Sequence, residues 1–255
     1  MSKKDFALVQ TLEELSLNAL PCLQQILYDG WVMRFAEGFT KRANSVTPLY
    51  SGIKDLKTKI SRCEAVYNDF NLPIVFRLTD MPQWLELDRT LAELSYVKRD
   101  AVSVQVKPIC DRASIPQFNR QLNLTIENEL SEEWLDRYVH AASVPVQHWQ
   151  TISTMLDIIP NPTCYAYLKD GARFCSCGFG VLEDNYLGIF FLVTAKARRR
   201  LGYGSQLVAA MLDWGRNNGA TTAYLQVETA NQAGINLYNK LGFTESYQYF
   251  YRLKP

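Results

Sequence analysis

Residues 191–205 read Phe-Leu-Val-Thr-Ala-Lys-Ala-Arg-Arg-Arg-Leu-Gly-Tyr-Gly-Ser and carry the strongest structural signal in the chain. The stretch begins with the residue types of a β-strand, crosses a basic loop that holds Gly202 and Gly204, and enters a helix. Such a turn directs unpaired backbone N–H groups and the positive end of a helix dipole toward one point. That point can bind phosphate, and glycine lets the phosphate approach the backbone closely. We therefore expect an anion site at the start of a helix.

The segments around this loop alternate between strand and helix patterns. Neither of two common phosphate loops, GxxxxGK[ST] and GxGxxG, is present. Strands alternating with single helices predict a mixed α/β sheet. The predicted strands are 161–167, 172–182, 188–194, 222–229 and 245–253, and the predicted helices are 205–217 and 231–241.

The first half of the chain repeats part of this order with a weaker pattern. Either an internal duplication or a chance resemblance between α/β segments explains the repetition. The join is expected between residues 108 and 123, where prolines interrupt any regular pattern, so the predicted domains are 1–110 and 111–255. The predicted elements are strand 30–35, a polar stretch 37–49, helix 52–70, strand 73–79, helix 84–94 and strand 97–106.

Three motifs together resemble one known superfamily. Arg199–Gly204 fits the pattern [Q/R]-x-x-G-x-[G/A], and Leu225–Asn231 and Ala233–Phe243 roughly resemble a second signature, L-x-V…N-x-x-A-x-x-L-Y-x-K-x-G-F. In order and spacing they resemble the GCN5-related N-acetyltransferases (GNAT), closely over residues 189–253, while the first half resembles a degenerate copy as in tandem members. The resemblance implies a mixed, mostly antiparallel twisted sheet flanked by helices, in two GNAT-like halves.

The resemblance also implies acetyl-CoA as cosubstrate and a primary amine as acceptor. In the family, the strand that matches 188–194 splays from the strand that matches 222–229. The pantetheine arm then bonds to the open backbone of the first, and the loop amides take the pyrophosphate. For Asn231, a helix N-cap is an equally good interpretation. The implied cofactor-binding residues are Phe191, Leu192, Val193, Arg199, Arg200, Leu201, Gly202, Tyr203, Gly204, Ser205 and Asn231.

Two side chains are candidates for proton transfer. Tyr238 matches the family tyrosine that protonates the departing CoA thiolate, and a phenol with its ordinary pKa near ~10 carries that proton at neutral pH. Its alternative role is packing beneath the sheet. The acceptor ammonium must also lose a proton, to Glu228, to Glu183 or Asp184 in a neighbouring turn, or to a water chain.

The first half departs from the family pattern at the loop. The stretch Gly38–Ser45 holds one glycine and leads into Val46-Thr-Pro48, so a second CoA site is not expected there. Structural support, or part of the acceptor pocket, is the expected use of this half.

Composition excludes several other classes. The 255 residues carry a net charge of +1, which argues against a nucleic-acid partner. There is no apolar run of the ~20 residues that a membrane span needs, and the N-terminus does not resemble a secretory signal, so a cytoplasmic protein is expected. Six cysteines without a CxxC pair, and two histidines, predict no metal site and disfavour a histidine-dependent hydrolase.

The function expected from these observations is direct acetyl transfer from acetyl-CoA to the amine of a small molecule or peptide. One alternative is a non-catalytic acyl-CoA-binding sensor that has lost turnover. A second is an aminoacyl-transferring relative, which the intact loop and the neutral charge disfavour. The sequence leaves open the acceptor, the general base and whether the protein is a monomer or a homodimer.

Overall fold

The computed structural model of the protein describes residues 5–119 and 121–254. By their contacts these residues form two units. The first comprises residues 5–103, Glu228–Ala230 and residues 246–254. The second comprises Val104–Val227, apart from residue 120, and Asn231–Glu245. The domain join expected at residues 110 and 111 remains a prediction.

The first unit combines a sheet with three helices. Its helices are α1 (Phe6–Ala19), α2 (Leu56–Asp69) and α3 (Leu85–Glu93), and its strands are β1 (Gln24–Tyr28), β2 (Trp31–Phe35), β3 (Val46–Pro48), β4 (Val75–Thr79), the start of β5 (Val97–Pro108) and most of β11 (Thr244–Leu253). Four of these strands and β11 are ordered β1-β2-β3-β4-β11. The turn between β1 and β2 is Asp29-Gly30, with positive φ at both residues, as a tight hairpin requires.

The second unit holds the rest of β5 and the loop motif. Its helices are α4 (Glu132–Ala141), α5 (Trp149–Asp157), α6 (Tyr203–Asn217) and α7 (Gln232–Lys240), and its strands are β6 (Asn123–Glu127), β7 (Thr163–Asp170), β8 (Arg173–Glu183), β9 (Tyr186–Thr194) and β10 (Thr222–Glu228). The order here is β10-β9-β8-β7-β6. Helix α6 buries Leu207, Val208, Met211 and Leu212, the apolar positions of its sequence pattern.

The pairing confirms the predicted mixed, mostly antiparallel sheet. Parallel pairs join β3 to β4 and β9 to β10, while β1–β2, β2–β3, β4–β11, β6–β7, β7–β8 and β8–β9 are antiparallel. The interpretation of the polar stretch 37–49 as a loop was wrong at its end, because Val46–Pro48 forms β3. That three-residue strand is held by pairing on both sides, with β2 and with β4.

A buried ion pair lies in the core of the first unit. The Arg77 guanidinium donates two hydrogen bonds to the Glu13 carboxylate, and the Tyr247 hydroxyl donates a third at 2.5 Å. The guanidinium also lies 3.8 Å from the centre of the Tyr249 ring. Burial raises the pKa of Tyr247, which keeps its phenol a donor. Removal of one partner would leave the other charge buried and uncompensated, which is strongly destabilising.

The cysteines are free thiols, of which Cys110 is exposed and the other five are buried. Burial raises the pKa of Cys164 and of Cys177 to about 12. Within residues 5–119 and 121–254, no group of three or more His, Cys, Asp or Glu side chains is arranged to hold a metal ion. None of the helices in those ranges has the length and apolar character needed to cross a bilayer.

Candidate active site

Strand β9 contains a bulge at Phe191, the residue that opens the loop motif. The register with β8 shifts here: Phe190 lies opposite Phe179, and Val193 lies opposite Cys177. Strand β9 therefore has two residues where β8 has one. Phe191 adopts a φ of 51°, in the left-handed region, which is uncommon for a bulky residue. A bulge of this kind leaves backbone groups of one strand out of the ladder and bends the strand.

The same strand separates from β10 at this point. Parallel pairing of the two strands runs from Tyr186–Thr222 to Ile189–Leu225. Residues 190–194 lie beyond the last of these pairs, on the side of the sheet where β9 leads into the loop. This arrangement confirms the divergence that the family resemblance implied. It presents backbone N–H and C=O groups of β9 to whatever lies between the two strands.

Helix α6 begins at Gly202 without a side-chain cap. Gly202 is the N-cap residue, with φ 85°, and as a glycine it has no side chain to cap the first N–H groups of the helix. A Cβ built on Gly202 would meet nothing within 4 Å, so this face of the loop is open. The neighbouring Arg200 is exposed and also has a positive φ, of 63°. Uncapped amides, a helix dipole and a basic loop fit an anionic phosphate group.

Gly204 has a different role from Gly202. A Cβ at Gly204 would lie 3.1 Å from Leu237 Cδ1 and 3.3 Å from Thr194 Oγ1, closer than ordinary contact. The glycine therefore allows α6 to pack against α7 and the end of β9. Arg199 supports the same junction, since its Nε donates to the Thr194 carbonyl at 3.2 Å. Gly204 shapes the site from within the protein, while Gly202 faces outward.

Tyr203 connects the loop to the β7–β8 hairpin. Its hydroxyl donates to Asp170 Oδ2 at 2.6 Å, and this hydrogen bond raises the pKa of Tyr203 to about 12. The next residues, Gly204 and Ser205, are buried and half-buried, while Leu201 is 60% exposed. The Tyr203 hydroxyl thus holds Asp170 of the β7–β8 hairpin at the first turn of α6.

Tyr238 lies on α7 next to Leu237, the residue that contacts Gly204. Its ring is 9% exposed and packs edge-on against Phe243, with centroids 6.0 Å apart. The packing interaction considered for this tyrosine is therefore present. Leu237, the neighbour of Tyr238, lies beside the start of α6. The role of Tyr238 as a general acid remains a prediction.

The remaining candidate residues lie at three separate places in the fold. Asn231 Oδ1 accepts from the Gly234 N–H at 3.0 Å, so its capping role is real. Glu228 is the exposed last residue of β10, and its contacts place it with the first unit. Glu183 and Asp184 precede β9 at the end that is paired with β10. Five residues, or roughly 16 Å of strand, separate that end from the bulge.

Sequence reasoning missed two aromatic residues of α4 that contact the bulge. The Tyr138 ring stacks on Phe191 with centroids 4.8 Å apart, and Trp134 stacks on Tyr138 at 5.4 Å. The Trp134 indole N–H donates to the carbonyl of Gly178, at 3.2 Å, opposite the bulge. A Ser131 cap before an aromatic pair with i, i+4 spacing was the available signal.

Comparisons with known proteins identify the family of this chain. A family model described as "Probable histone acetyltransferase Rv0428c C-terminal" matches residues 7–252. The chain is 27% identical to the uncharacterized N-acetyltransferase YobR of Bacillus subtilis, covering 96% of this chain and 98% of YobR. It is 24% identical to the probable histone acetyltransferase Rv0428c of Mycobacterium tuberculosis, covering 93% of this chain and 71% of the relative.

Solved structures show the same fold. A GCN5-related N-acetyltransferase from Kribbella flavida superposes with a TM-score of 0.72 at 13% identity, over 96% of this chain and 95% of the other. A tandem GNAT protein from the clavulanic acid biosynthesis pathway superposes with a TM-score of 0.62 at 10% identity, over 77% and 68%. The chain is an acetyltransferase that belongs to the Rv0428c C-terminal family of the GCN5-related N-acetyltransferase superfamily.

Proposed function

We propose that this protein transfers the acetyl group of acetyl-CoA to a primary amine of a small molecule or peptide, by direct attack of the amine on the thioester. One observation supports this most strongly. The bulged, diverging end of β9 leads through a basic loop directly into the uncapped start of α6. A strand edge suited to an amide-containing arm and an anion site suited to a pyrophosphate thus lie on one continuous segment.

Acetyl-CoA supplies the activated acetyl group and a thiol leaving group. The backbone of Phe191, Leu192 and Val193 would hold the pantetheine amides in the manner of an added strand. The amides from Arg199 to Ser205 would take the pyrophosphate, with Arg199 and Arg200 adding positive charge. Asn231 would contact the arm through its Nδ2, because the capping bond uses Oδ1.

Proton transfer is assigned to Tyr238 and to a base. Tyr238 Oη would donate its proton to the departing thiolate sulfur, which makes the leaving group neutral. The amine must lose a proton as it attacks. Glu228 remains the candidate carboxylate for that step, with an ordered water chain as the alternative. Glu183 and Asp184 are less suitable, because their turn lies at the paired end of β9.

The acceptor class rests on the relatives as well as the site. One relative carries the name probable histone acetyltransferase, which makes a lysine-containing peptide a reasonable acceptor to test. The near-neutral charge of +1 does not favour a nucleic-acid partner. Six free thiols suit a reducing compartment such as the cytoplasm, which we include in the proposal.

The test is release of CoA thiol from acetyl-CoA with a panel of small primary amines and lysine peptides. A Cys110→Ser background removes the exposed protein thiol from the assay. We expect thiol release that depends on one class of amine, and mass spectrometry should find the acetylated acceptor. Tight CoA binding without thiol release for any amine would instead identify an acyl-CoA sensor.

A further inference from the structure

Within each unit the chain follows the same path. In the first, the β1–β2 hairpin is followed by β3, a loop, α2, β4 and α3. In the second, the β7–β8 hairpin is followed by β9, a loop, α6, β10 and α7. In both, the strand before the loop is antiparallel to the hairpin and parallel to the strand after the helix. The counterpart of the phosphate loop is therefore residues 49–55, not Gly38–Ser45.

A carboxylate of the protein itself occupies this loop in the first unit. Asp29, at the tip of the β1–β2 hairpin, accepts hydrogen bonds from the backbone N–H of Ile53 at 3.0 Å and of Lys54 at 3.1 Å. Lys59 Nζ lies 3.0 Å from the same carboxylate and donates to the Asp29 carbonyl at 2.6 Å. Two loop amides and a helix lysine around one anion are the contacts that a bound phosphate would receive.

Burial and the loop glycine show that this contact is built in. The side chains of Lys59 and Asp29 are 2% and 9% exposed. A Cβ on Gly52 would collide with the Asp29 carboxylate, so this glycine admits an anion against the backbone. Hydrogen bonds from Ile53 and Lys54 and the charge of Lys59 lower the pKa of Asp29 to about 2, against the effect of desolvation.

The second unit differs at this contact and at the helix cap, since α2 of the first unit is capped by the Asp55 side chain through the Thr58 N–H. The hairpin aspartate of the second unit, Asp170, accepts from the Tyr203 hydroxyl, and α6 begins without a side-chain cap. A groove of about 510 Å³ still adjoins the loop of the first unit, lined by Gly52, Lys59 and Trp84 among others. The amides of Ile53 and Lys54 are already occupied by the Asp29 carboxylate.

We propose that the first unit carries a phosphate loop closed by its own Asp29 carboxylate, and that removal of this side chain opens an anion site formed by Ile53 N–H, Lys54 N–H and Lys59 Nζ. If the second unit binds CoA, as proposed above, and the loop of the first unit is closed, each chain binds one CoA. The ligand of the opened site would be a phosphate or pyrophosphate group.

The test compares the wild-type chain with Asp29→Gly and with Asp184→Gly as the matched control. Both aspartates are turn residues with positive φ, 47° and 51°, which glycine adopts without strain. CoA is kept saturating so that the second unit is occupied, and inorganic pyrophosphate is then added. The readouts are the melting temperature and the amide NMR shifts of Ile53 and Lys54.

We expect pyrophosphate to shift those two amides, and to raise the melting temperature by about 5 °C at 100-fold excess over its Kd, in Asp29→Gly alone. If Asp29→Gly does not fold unaided, pyrophosphate should restore its folding. No effect on either readout, or an equal effect in all three proteins, would overturn the proposal. Calorimetry showing two CoA per wild-type chain would overturn it as well, whereas no CoA binding at all would overturn only the proposed function.

Discussion

The ring of Tyr138 lies flat on the ring of Phe191, with centroids 4.8 Å apart and planes 10° apart. Phe191 is the residue of β9 with positive φ, and Phe179 packs edge-on against it at 5.2 Å. Behind Tyr138, the Trp134 indole N–H binds the carbonyl of Gly178, opposite the bulge. Aromatic contacts from α4 and β8 thus hold the strained backbone of β9 in place. A strained conformation persists only where the surrounding packing fixes it in this way.

Replacement of Tyr138 by leucine should lower kcat and also raise the KM for acetyl-CoA, because the Phe191 backbone that Tyr138 supports is proposed to hold the pantetheine arm. The bulge would relax, whereas the phosphate loop is untouched. We expect a loss on the order of tenfold, below the ~10²-fold that a 1 Å misplacement costs. Tyr138→Phe keeps the stacked ring and should have near wild-type kinetics. A leucine variant with normal kcat and only a lower melting temperature would show that the stack is purely structural.

Gly202→Asn should weaken CoA binding by an order of magnitude or more and leave the melting temperature almost unchanged. Asparagine tolerates the left-handed conformation, but its side chain would project into the open face of the loop. Gly219→Asn, at the other end of α6, is the control, because Gly219 also has a positive φ and open surroundings. Calorimetry with CoA on both variants makes the comparison; equal affinities would remove the phosphate role of Gly202.

Gly204→Val should lose stability as well as CoA affinity. The Cβ position already lies 3.1 Å from Leu237 and 3.3 Å from Thr194, so a larger side chain must push α6 away from its neighbours. Overpacking of this kind typically costs ~1–3 kcal/mol. Urea unfolding of Gly204→Val beside Gly202→Asn separates packing from phosphate binding, and an unchanged midpoint for the valine variant would contradict the packing role.

Tyr238→Phe should lower kcat by roughly 10²-fold if the hydroxyl protonates the thiolate, within the ~10²–10⁴-fold range of general acid catalysis. The affinity for CoA should change little, since the ring still packs against Phe243. Tyr238→Ala would in addition destabilise the protein by leaving a cavity. Rates and melting temperatures of both variants, with a true acceptor, distinguish the two roles. A fully active phenylalanine variant would leave the proton to water.

Acid should remove the stabilising contribution of Asp29 over a defined range. The carboxyl titrates at about 2 in the folded protein and near ~3.9 in the unfolded chain, so the unfolded state takes up the proton first as the pH falls. The contribution is therefore complete above ~4 and disappears as the pH falls through about 2. The stability difference between wild type and Asp29→Asn, from urea unfolding at each pH, should shrink over that range. A constant difference would contradict this assignment.

Most of the structure of the second unit could be predicted from the sequence because the patterns that indicate it are local. The apolar spacing of 205–217, the two loop glycines and the strand–loop–helix order all lie within a few dozen residues. The divergence of β9 from β10 followed from the resemblance carried by the same motifs. Even there, the different roles of Gly202 and Gly204 depend on a tertiary contact with Leu237 on another helix, which no local pattern indicates.

The remainder depends on contacts between distant residues. Strand β3 has three residues, one of them Pro48, and exists because β2 and β4 flank it. Tyr138 reaches Phe191 across more than fifty residues of sequence, and Asp29 of the β1–β2 hairpin reaches Ile53 in the loop before α2. No periodicity predicts such meetings, since pairing and packing override the local preferences of short segments.

The position of β11 beside the buried Glu13–Arg77 pair has a consequence for folding during biosynthesis. Tyr247 and Tyr249 lie on β11 and surround the Glu13–Arg77 pair of the first unit, yet the ribosome makes them after the whole second unit. The first unit therefore cannot complete its core during translation in the usual N-terminal-first order. Until β11 is made, Glu13 lacks the hydrogen bond from Tyr247 and Arg77 lacks its contact with the Tyr249 ring, and a chain cleaved before Tyr247 would lack both contacts.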